Sequence, residues 1–143
     1  RRMILSAWNP SALGRMALPP CHLMAQFYAS AGKLSCCMYQ RSADMGLGVP
    51  FNVASYALLT HLMAACVGLE AHELVHVMGD THVYQSHVAG LREQIRRVPR
   101  PFPRVRISVS GATTQPAIDA LTPDNVELLE YNPHPAIHLP LAV

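Results

Sequence analysis

The sequence predicts an α+β fold, and two observations support this class. Strand-like and helical segments both occur along the 143 residues, without a regular β–α alternation. Half of the residues are apolar and only 14% are charged, which is typical of a folded chain with one sizeable core. The formal net charge of +2 is too small to indicate nucleic-acid or membrane partners.

Three strands are predicted in the N-terminal part of the chain. Met3–Trp8 is largely apolar and ends before an Asn-Pro pair, which interrupts regular structure. His22–Ser30 and Leu34–Ser42 are two further strand-like runs. The short Ala-Gly-Lys segment between them predicts a tight turn, so the two runs are expected to form a hairpin.

The longest apolar stretch predicts a buried helix. Residues 44–50 (DMGLGVP) contain two glycines and a proline and predict a loop. Val53–Cys66 follows as the helix, and Gly68 is well placed to end it. The apolar run is shorter than the roughly 20 residues of a membrane span and contains His61. A helix in the core of a soluble domain is therefore expected.

The C-terminal part predicts one more helix and two strands. An amphipathic helix is predicted from about Val83 to Arg97, because Val88, Leu91, Ile95 and Val98 fall at helical spacing and Pro99 stops the pattern. The prolines of the following RVPRPFPR stretch keep it extended. Val105–Val109 and Val126–Leu129 predict strands, and the apolar tail YNPHPAIHLPLAV is expected to be extended.

The four cysteines do not form a metal-binding or redox motif. Cys21, Cys36, Cys37 and Cys66 lack C-x-x-C spacing, and we expect reduced thiols in a reducing, cytoplasmic compartment. The chain opens on two arginines with neither an initiator methionine nor the apolar region of a signal peptide. We therefore expect it to be a fragment of a longer protein.

The segment HELVHVMGDTH, residues 72–82, matches H-E-x-x-H-x-x-G-x-x-H, the zinc signature of metzincin proteases. Zinc binding needs His72 and His76 about 6 Å apart on a helix, whereas a strand separates them by about 13 Å. Residues 73–78 alternate like a strand, and Met78 is the last methionine, so the methionine turn below the metal is missing. We therefore expect a strand without a metal.

Several strings in the chain resemble the thymidylate synthase family. The strings are QRSADMGLGVPFN (40–52), PPCH (19–22), GDTHVY (79–84), PRPFP (99–103) and YNPHP (131–135). The likeness runs through residues 1–143, which we interpret as the C-terminal part of one synthase domain whose N-terminal half is absent. The resemblance implies the family's mixed β-sheet with flanking helices, packed against a partner subunit in an obligate homodimer.

The resemblance also implies a reaction. Methylene-tetrahydrofolate, a co-substrate, gives a one-carbon unit and a hydride that convert dUMP to dTMP. Cys21 matches the nucleophile, because a thiolate adds readily to C6 of uracil and can later leave. Arg41 is the matching cation that would favour the thiolate. A fused dihydrofolate reductase is implied only if the parent protein is bifunctional.

Further residues match the family's ligand-binding positions. The implied dUMP ligands are Arg1, Arg2, Arg41, Ser42, Asp44, Asn52, His82 and Tyr84, with Arg1 and Arg2 reaching the partner's phosphate site. The implied folate contacts are Asp44, Leu47, Gly48, Phe51 and Ala142, the last in the tail 139–143 that closes over the ligands. No metal is expected.

Asn52 favours dUMP over other pyrimidines. Its carboxamide offers an acceptor for N3–H and a donor for O4 of uracil, although a flipped amide could also pair with cytosine. The related dCMP hydroxymethylases typically carry Asp at this position, and such an enzyme remains the alternative. Asn52 could also cap the helix expected to start near Val53.

Two other classes of protein stay open as alternatives. One is the zinc metalloprotease of the histidine motif. The other is a nucleic-acid binder that uses a basic cluster, for which a solvated surface is the preferred interpretation. The cluster consists of Arg92, Arg96, Arg97, Arg100, Arg104 and Arg106. We expect the 143 residues alone to be inactive and poorly folded.

Overall fold

The structure, a computed structural model, describes residues 1–109 and 118–141. Its regular elements are β1 (Ile4–Ser6), β2 (His22–Ser30), β3 (Lys33–Asp44), α1 (Gly48–Cys66), β4 (Glu70–His82), α2 (Val88–Gln94), β5 (Arg104–Ile107) and β6 (Val126–Leu129). Short 3₁₀ turns cover Pro10–Arg15, Gln85–His87 and Pro123–Asn125. The first four strands form one sheet in chain order, and β5 pairs with β6 separately. The fold is therefore α+β, as the sequence predicts.

The sheet is mixed because one of its three pairings is parallel. β1, β2 and β3 are antiparallel neighbours, joined at the predicted hairpin. Ala31 and Gly32 both adopt positive φ there, at 49° and 77°, which matches the twist of a two-residue hairpin turn. β4 then lies parallel to β3, with α1 as the crossover. The sequence pattern indicates no β–α alternation, so this one β–α–β unit was not predicted.

The inner face of the sheet forms the core with α1. Tyr56 and Ala64 on the helix are buried against it, and Thr60 is buried between them. Because side chains alternate along a strand, adjacent strands place their inward residues in cross-strand rows. Two such rows are Ala25, Met38 and His76, and Phe27, Cys36 and Leu74.

The outer face of the sheet is apolar but exposed. The described residues contain no element that covers it. Tyr28 is 62% exposed there. Two cross-strand rows cross this face: Ser6, Met24, Tyr39 and Val77, and Ile4, Gln26, Cys37 and Val75.

The predicted end of the first helix at Cys66 is confirmed, but its start and both bounds of the second helix were wrong. α1 begins at Gly48, five residues before the expected Val53, because the Asp44 carboxylate accepts hydrogen bonds from the first free backbone N–H groups. α2 covers only Val88–Gln94, because β4 continues to His82 and a 3₁₀ turn follows it. The expected amphipathic face is also wrong at Ile95 and Val98, which are 80% and 77% exposed.

α1 is the one helix in residues 1–109 and 118–141 that is long and apolar enough to match a membrane span by length and composition. A core helix passes the same test, and α1 packs one side on β3 and β4. The expectation of a buried helix holds for that side only, since Phe51 and Val53 on the other side are exposed.

Candidate active site

A cleft of about 520 Å³ opens where β2 begins, β3 ends and α1 starts. It is the place where most of the predicted site residues meet. The polar groups in its lining include a free thiol, an arginine, a carboxylate and a carboxamide. The predicted residues that line it are Cys21, Arg41, Ser42, Asp44, Gly48, Asn52, His82 and Tyr84.

Cys21 lies immediately before β2 and is partly exposed to the cleft. Its carbonyl accepts a hydrogen bond from the Arg41 backbone N–H at 2.8 Å, which ties it to β3. Between His22 and Met24 the pairing of β2 with β3 shifts by one residue, as in a β-bulge. A bulge re-aims the adjacent side chains, so this irregularity helps to turn the start of β2 towards the cleft.

The Arg41 guanidinium holds the loop that precedes Cys21. Its Nε donates to the Pro20 carbonyl at 3.0 Å, and its NH2 group donates to the Pro19 carbonyl at 2.7 Å. The guanidinium carbon also lies 6.0 Å from the centre of the Trp8 ring, within cation–π range. Arg41 therefore positions the thiol loop while its positive charge lies at the cleft.

A chain of hydrogen bonds orients the Asn52 carboxamide. Gln40, which is 2% exposed, donates from Nε2 to Asn52 Oδ1 at 2.9 Å and to the Ser42 carbonyl at 2.8 Å. The Gln40 Oε1 accepts from His76 Nε2 at 2.9 Å. Burial lowers the pKa of His76, so its ring is neutral at neutral pH. With both Gln40 donors used, the Asn52 amide nitrogen is the group left to donate into the cleft.

The Asn52 geometry corrects one prediction. Asn52 does not cap the helix, because α1 begins four residues earlier and Asn52 lies inside it. The capping residue is Asp44, which accepts from the Gly46, Leu47 and Gly48 N–H groups at 2.9, 3.1 and 3.2 Å. Burial alone would raise the pKa of Asp44, but the three N–H donors outweigh it and hold the pKa below its usual range.

His82 and Tyr84 line the same side of the cleft at the end of β4. Their rings meet edge to face with centroids 5.1 Å apart. The neighbouring His22 is held by the Tyr56 hydroxyl, with which its Nδ1 shares a hydrogen bond of 2.8 Å. His22, His82 and Tyr84 thus line the same cleft as the Cys21 thiol.

Four predicted site residues do not line the cleft. Arg1 and Arg2 are exposed at the chain terminus, Phe51 is 72% exposed on α1, and Leu47 lines a separate groove towards α2. A fifth, Ala142, lies outside the described residues. Three residues were not predicted from the sequence as part of the site: Gln40, His76 in its hydrogen-bonding role, and His87. Gln40 and His76 were detectable as polar residues at inward positions of otherwise apolar strands.

The zinc motif adopts the strand geometry that the sequence favoured. Residues 72–82 lie within β4, paired with β3, so His72 and His76 are not on one helical turn. His76 instead donates to Gln40, and His72 is exposed. Across the described ranges, no group of three or more His, Cys, Asp or Glu side chains is placed to hold a metal.

The basic cluster has local partners for four of its six arginines. Arg97 pairs with Glu93 at 2.7 Å, and Arg100 donates to the Asn132 carbonyl at 3.1 Å. On β5, Arg104 lies 3.7 Å from Glu130 and Arg106 lies 2.8 Å from Glu127. Much of the positive charge is therefore neutralised or engaged in contacts within the chain.

The fold and the cleft together define an α+β protein with a cysteine-centred polar site. The thymidylate synthase family profile matches residues 1–143. The chain belongs to the thymidylate synthase family.

Several curated relatives are similar over nearly the whole chain. It is 52% identical over 143 residues to a thymidylate synthase of Human herpesvirus 8 type P (isolate GK18), covering 100% of the chain and 41% of the relative. It is 56% identical over 139 residues to thymidylate synthase 1/2 of Encephalitozoon cuniculi (strain GB-M1), covering 97% and 47%. It is 54% identical to the bifunctional dihydrofolate reductase-thymidylate synthase of Zea mays, covering 100% and 27%. The chain thus spans less than half the length of these relatives.

Proposed function

We propose that this chain is the C-terminal, nucleophile-bearing part of a thymidylate synthase that converts dUMP to dTMP with methylene-tetrahydrofolate. The single observation that carries the proposal is the meeting of Cys21, Arg41, Asn52 and His82 at one cleft. The intact protein is a polypeptide that contains this chain and also the part of the sequence that its relatives have in addition to it.

The chemistry begins with Cys21. Its thiolate adds to C6 of the uracil ring, which makes C5 nucleophilic, and the same sulfur leaves at the end of the reaction. The bound folate supplies the one-carbon unit and the hydride. Within this chain, Arg41 keeps the thiol loop in place and offers a positive charge that favours the thiolate and a phosphate. Ser42 is the second phosphate donor from the same strand.

The Gln40–Asn52 contact supports uracil as the base. Since Gln40 donates to Asn52 Oδ1, the amide nitrogen of Asn52 is presented to O4 of a uracil. The second lone pair of Oδ1 is free to accept from N3–H. A flipped amide would turn its NH₂ towards the Gln40 NH₂ group, which opposes the cytosine alternative and hence a dCMP hydroxymethylase. His82 and Tyr84 are the donors for the deoxyribose hydroxyl.

The folate side is only partly built by this chain. Gly48 lines the cleft, and a side chain added there would meet Asp44 Cβ at 3.5 Å and Asn52 Oδ1 at 3.7 Å. The glycine therefore leaves the entrance open for a flat ring. Asp44 is available as the polar contact for that ring, and the exposed Phe51 as an apolar one. Leu47 and Ala142 complete the proposed folate contacts.

We also propose a homodimer built on the outer face of the sheet. This face carries two rows of exposed, mostly apolar side chains, and an apolar patch of this kind is typical of a protein interface. Arg1 and Arg2 would then reach the partner's phosphate site.

The four free thiols support a reducing compartment, which we propose to be the cytoplasm. A fused dihydrofolate reductase domain, as named in the Zea mays relative, is the alternative for the parent.

The proposal is tested by covalent trapping. The intact protein is incubated with 5-fluoro-dUMP and methylene-tetrahydrofolate, digested, and analysed by mass spectrometry. We expect an adduct on the peptide that contains Cys21, and neither adduct nor tritium release from labelled dUMP with Cys21→Ser. As a matched control, Cys37→Ala, which removes an exposed thiol but keeps a small apolar side chain on the outer face, should leave the adduct unchanged. An adduct on another cysteine, or normal turnover by Cys21→Ser, would refute the assignment.

A further inference from the structure

His87 is the largest polar group whose burial the proposed reaction does not explain. Its side chain is fully buried at 0% exposure, in the 3₁₀ turn between β4 and α2. Within the described part of the chain, its Nδ1 atom is the buried side-chain polar atom without a hydrogen-bond partner. A buried polar group normally has one, so the position of this ring calls for a functional reason.

The His87 ring joins two segments that are distant in the sequence. Its Nε2 donates to the Pro140 carbonyl at 2.7 Å, which ties it to the C-terminal segment. Its Nδ1 faces Asp44 Oδ1 at 3.6 Å, at the end of β3. The Tyr84 ring packs edge to face on it at 5.4 Å, and Tyr84 also lines the cleft. The ring therefore links the C-terminal segment to two cleft residues.

Two glycines make room for this arrangement. A Cβ on Gly46 would lie 2.4 Å from His87 Nδ1, although the φ of Gly46 is one that other residues adopt. A Cβ on Gly90 would lie 2.5 Å from Leu139 Cδ2 and 3.0 Å from Ile137 Cγ2. Gly46 therefore leaves room for the His87 ring, and Gly90 lets the ends of the Ile137 and Leu139 side chains pack closely on α2.

We propose that His87 is a positioning residue, which holds the C-terminal segment beside the Asp44 corner of the cleft through its hydrogen bond to Pro140. In this role His87 does not touch the substrate. It acts through the segment 137–140 on one side and Asp44 on the other. The expected effect of His87 on folate kinetics rests on the proposed function, because Asp44 belongs to the folate side of the proposed active site. The expected effect of His87 on the order of the segment 137–141 does not depend on the proposed function.

The test compares two substitutions in the intact protein. His87→Phe keeps a ring of similar shape but removes the donor to Pro140. His87→Gln keeps a nitrogen donor at the same number of bonds from Cα. For His87→Phe we expect roughly tenfold faster amide hydrogen exchange in the peptide covering residues 136–141, since a buried carbonyl loses its partner. We also expect a roughly tenfold lower kcat/KM for folate, with less than a twofold change in the KM for dUMP.

His134→Phe is the matched control, because it removes another histidine-to-carbonyl hydrogen bond, from His134 Nε2 to Val98, at 2.8 Å. His87→Gln and His134→Phe should both stay within twofold of the wild type. If His87→Phe does not fold, His87→Asn replaces it, since the shorter side chain does not reach Pro140.

Three results would overturn the proposal: unchanged exchange in His87→Phe, equal damage from His87→Gln, or the same effect from His134→Phe. If the wild-type protein lacks synthase activity, the proposed function fails, and the exchange measurement still decides the role of His87.

Discussion

The cap formed by Asp44 offers a direct test of how α1 is held in place. Replacing Asp44 with Ala removes three hydrogen bonds, from the N–H groups of Gly46, Leu47 and Gly48. Loss of an N-cap costs about 0.5–2 kcal/mol, and loss of a negative charge at a helix N-terminus adds about 0.3–1 kcal/mol. Because the Asp44 side chain is only 19% exposed, we take the upper part of both ranges. The expected loss in unfolding free energy is therefore about 2–3 kcal/mol.

The assay is urea unfolding of the intact protein, followed by circular dichroism. Asp44→Asn keeps an acceptor but loses the charge, so we expect about 1 kcal/mol for it at pH 7. The matched control is Asp80→Ala, which removes the same charge from the neighbouring strand, where the side chain is 80% exposed. It should change stability by less than about 0.5 kcal/mol. Equal losses from Asp44→Ala and Asp80→Ala would refute the capping argument.

The pH dependence of the unfolding free energy is a second test of the Asp44 cap. The folded state lowers the pKa of Asp44, so its ionised form is favoured by folding. Its contribution to stability is therefore complete above the unfolded carboxyl pKa of about 3.9, and it is lost as the pH falls through the lower folded value. The difference between wild type and Asp44→Asn should be constant from neutral pH to about pH 5 and shrink below about pH 4. A difference that grows on acidification would contradict this sign.

Three further predictions follow from other contacts. Gln40→Met removes the donor that orients the Asn52 amide, so the amide is free to flip. The ratio of kcat/KM for dUMP to kcat/KM for dCMP should then fall by roughly tenfold. An unchanged ratio would argue against Gln40 as the orienting group. Burial lowers the pKa of His76, so its contribution to stability is present above the unfolded pKa of about 6.5 and is lost as the pH falls through the lower folded pKa. His76→Gln should therefore flatten this part of the profile of unfolding free energy against pH, measured with urea. An equally steep profile would exclude His76 as its source. Gly46→Ala places a methyl group 2.4 Å from His87 Nδ1 and should cost about 1–3 kcal/mol in urea unfolding, whereas Gly14→Ala, with open space around it, should cost much less.

The sequence predicted the strands better than the helices. β2 and β3 follow from apolar runs around an Ala-Gly turn, and these signals are local. The start of α1 was missed because its cap is Asp44, three residues before the N-cap position Leu47 and at the end of a strand. A carboxylate that caps from there does not resemble the usual N-cap pattern, which places Ser, Thr, Asp or Asn directly before the helix.

Site residues that belong to a family motif were predicted from the sequence. Residues whose role depends on tertiary contacts were not. Cys21, Arg41 and Asn52 were identified through matching strings, and all three line the cleft. His87 gave no such signal, because the two groups that face its ring nitrogens, Asp44 and the Pro140 carbonyl, are 43 and 53 residues away. Only the folded chain brings them together. The histidine motif of residues 72–82 illustrates the reverse case, a strong local pattern that the strand β4 makes geometrically unsuitable for zinc.

The backbone hydrogen bond from Arg41 to Cys21 couples the position of the thiol to the alignment of β2 with β3. Strand β3 carries core side chains such as Met38 on its inner face and then continues to Arg41 at the cleft. A one-residue slip of β2 along β3 would exchange inward and outward side chains and would carry the thiol away from its arginine at the same time. Under the proposed function, turnover by the intact protein would therefore also report correct strand alignment, and it would detect misassembled sheets that a measurement of strand content alone would count as native.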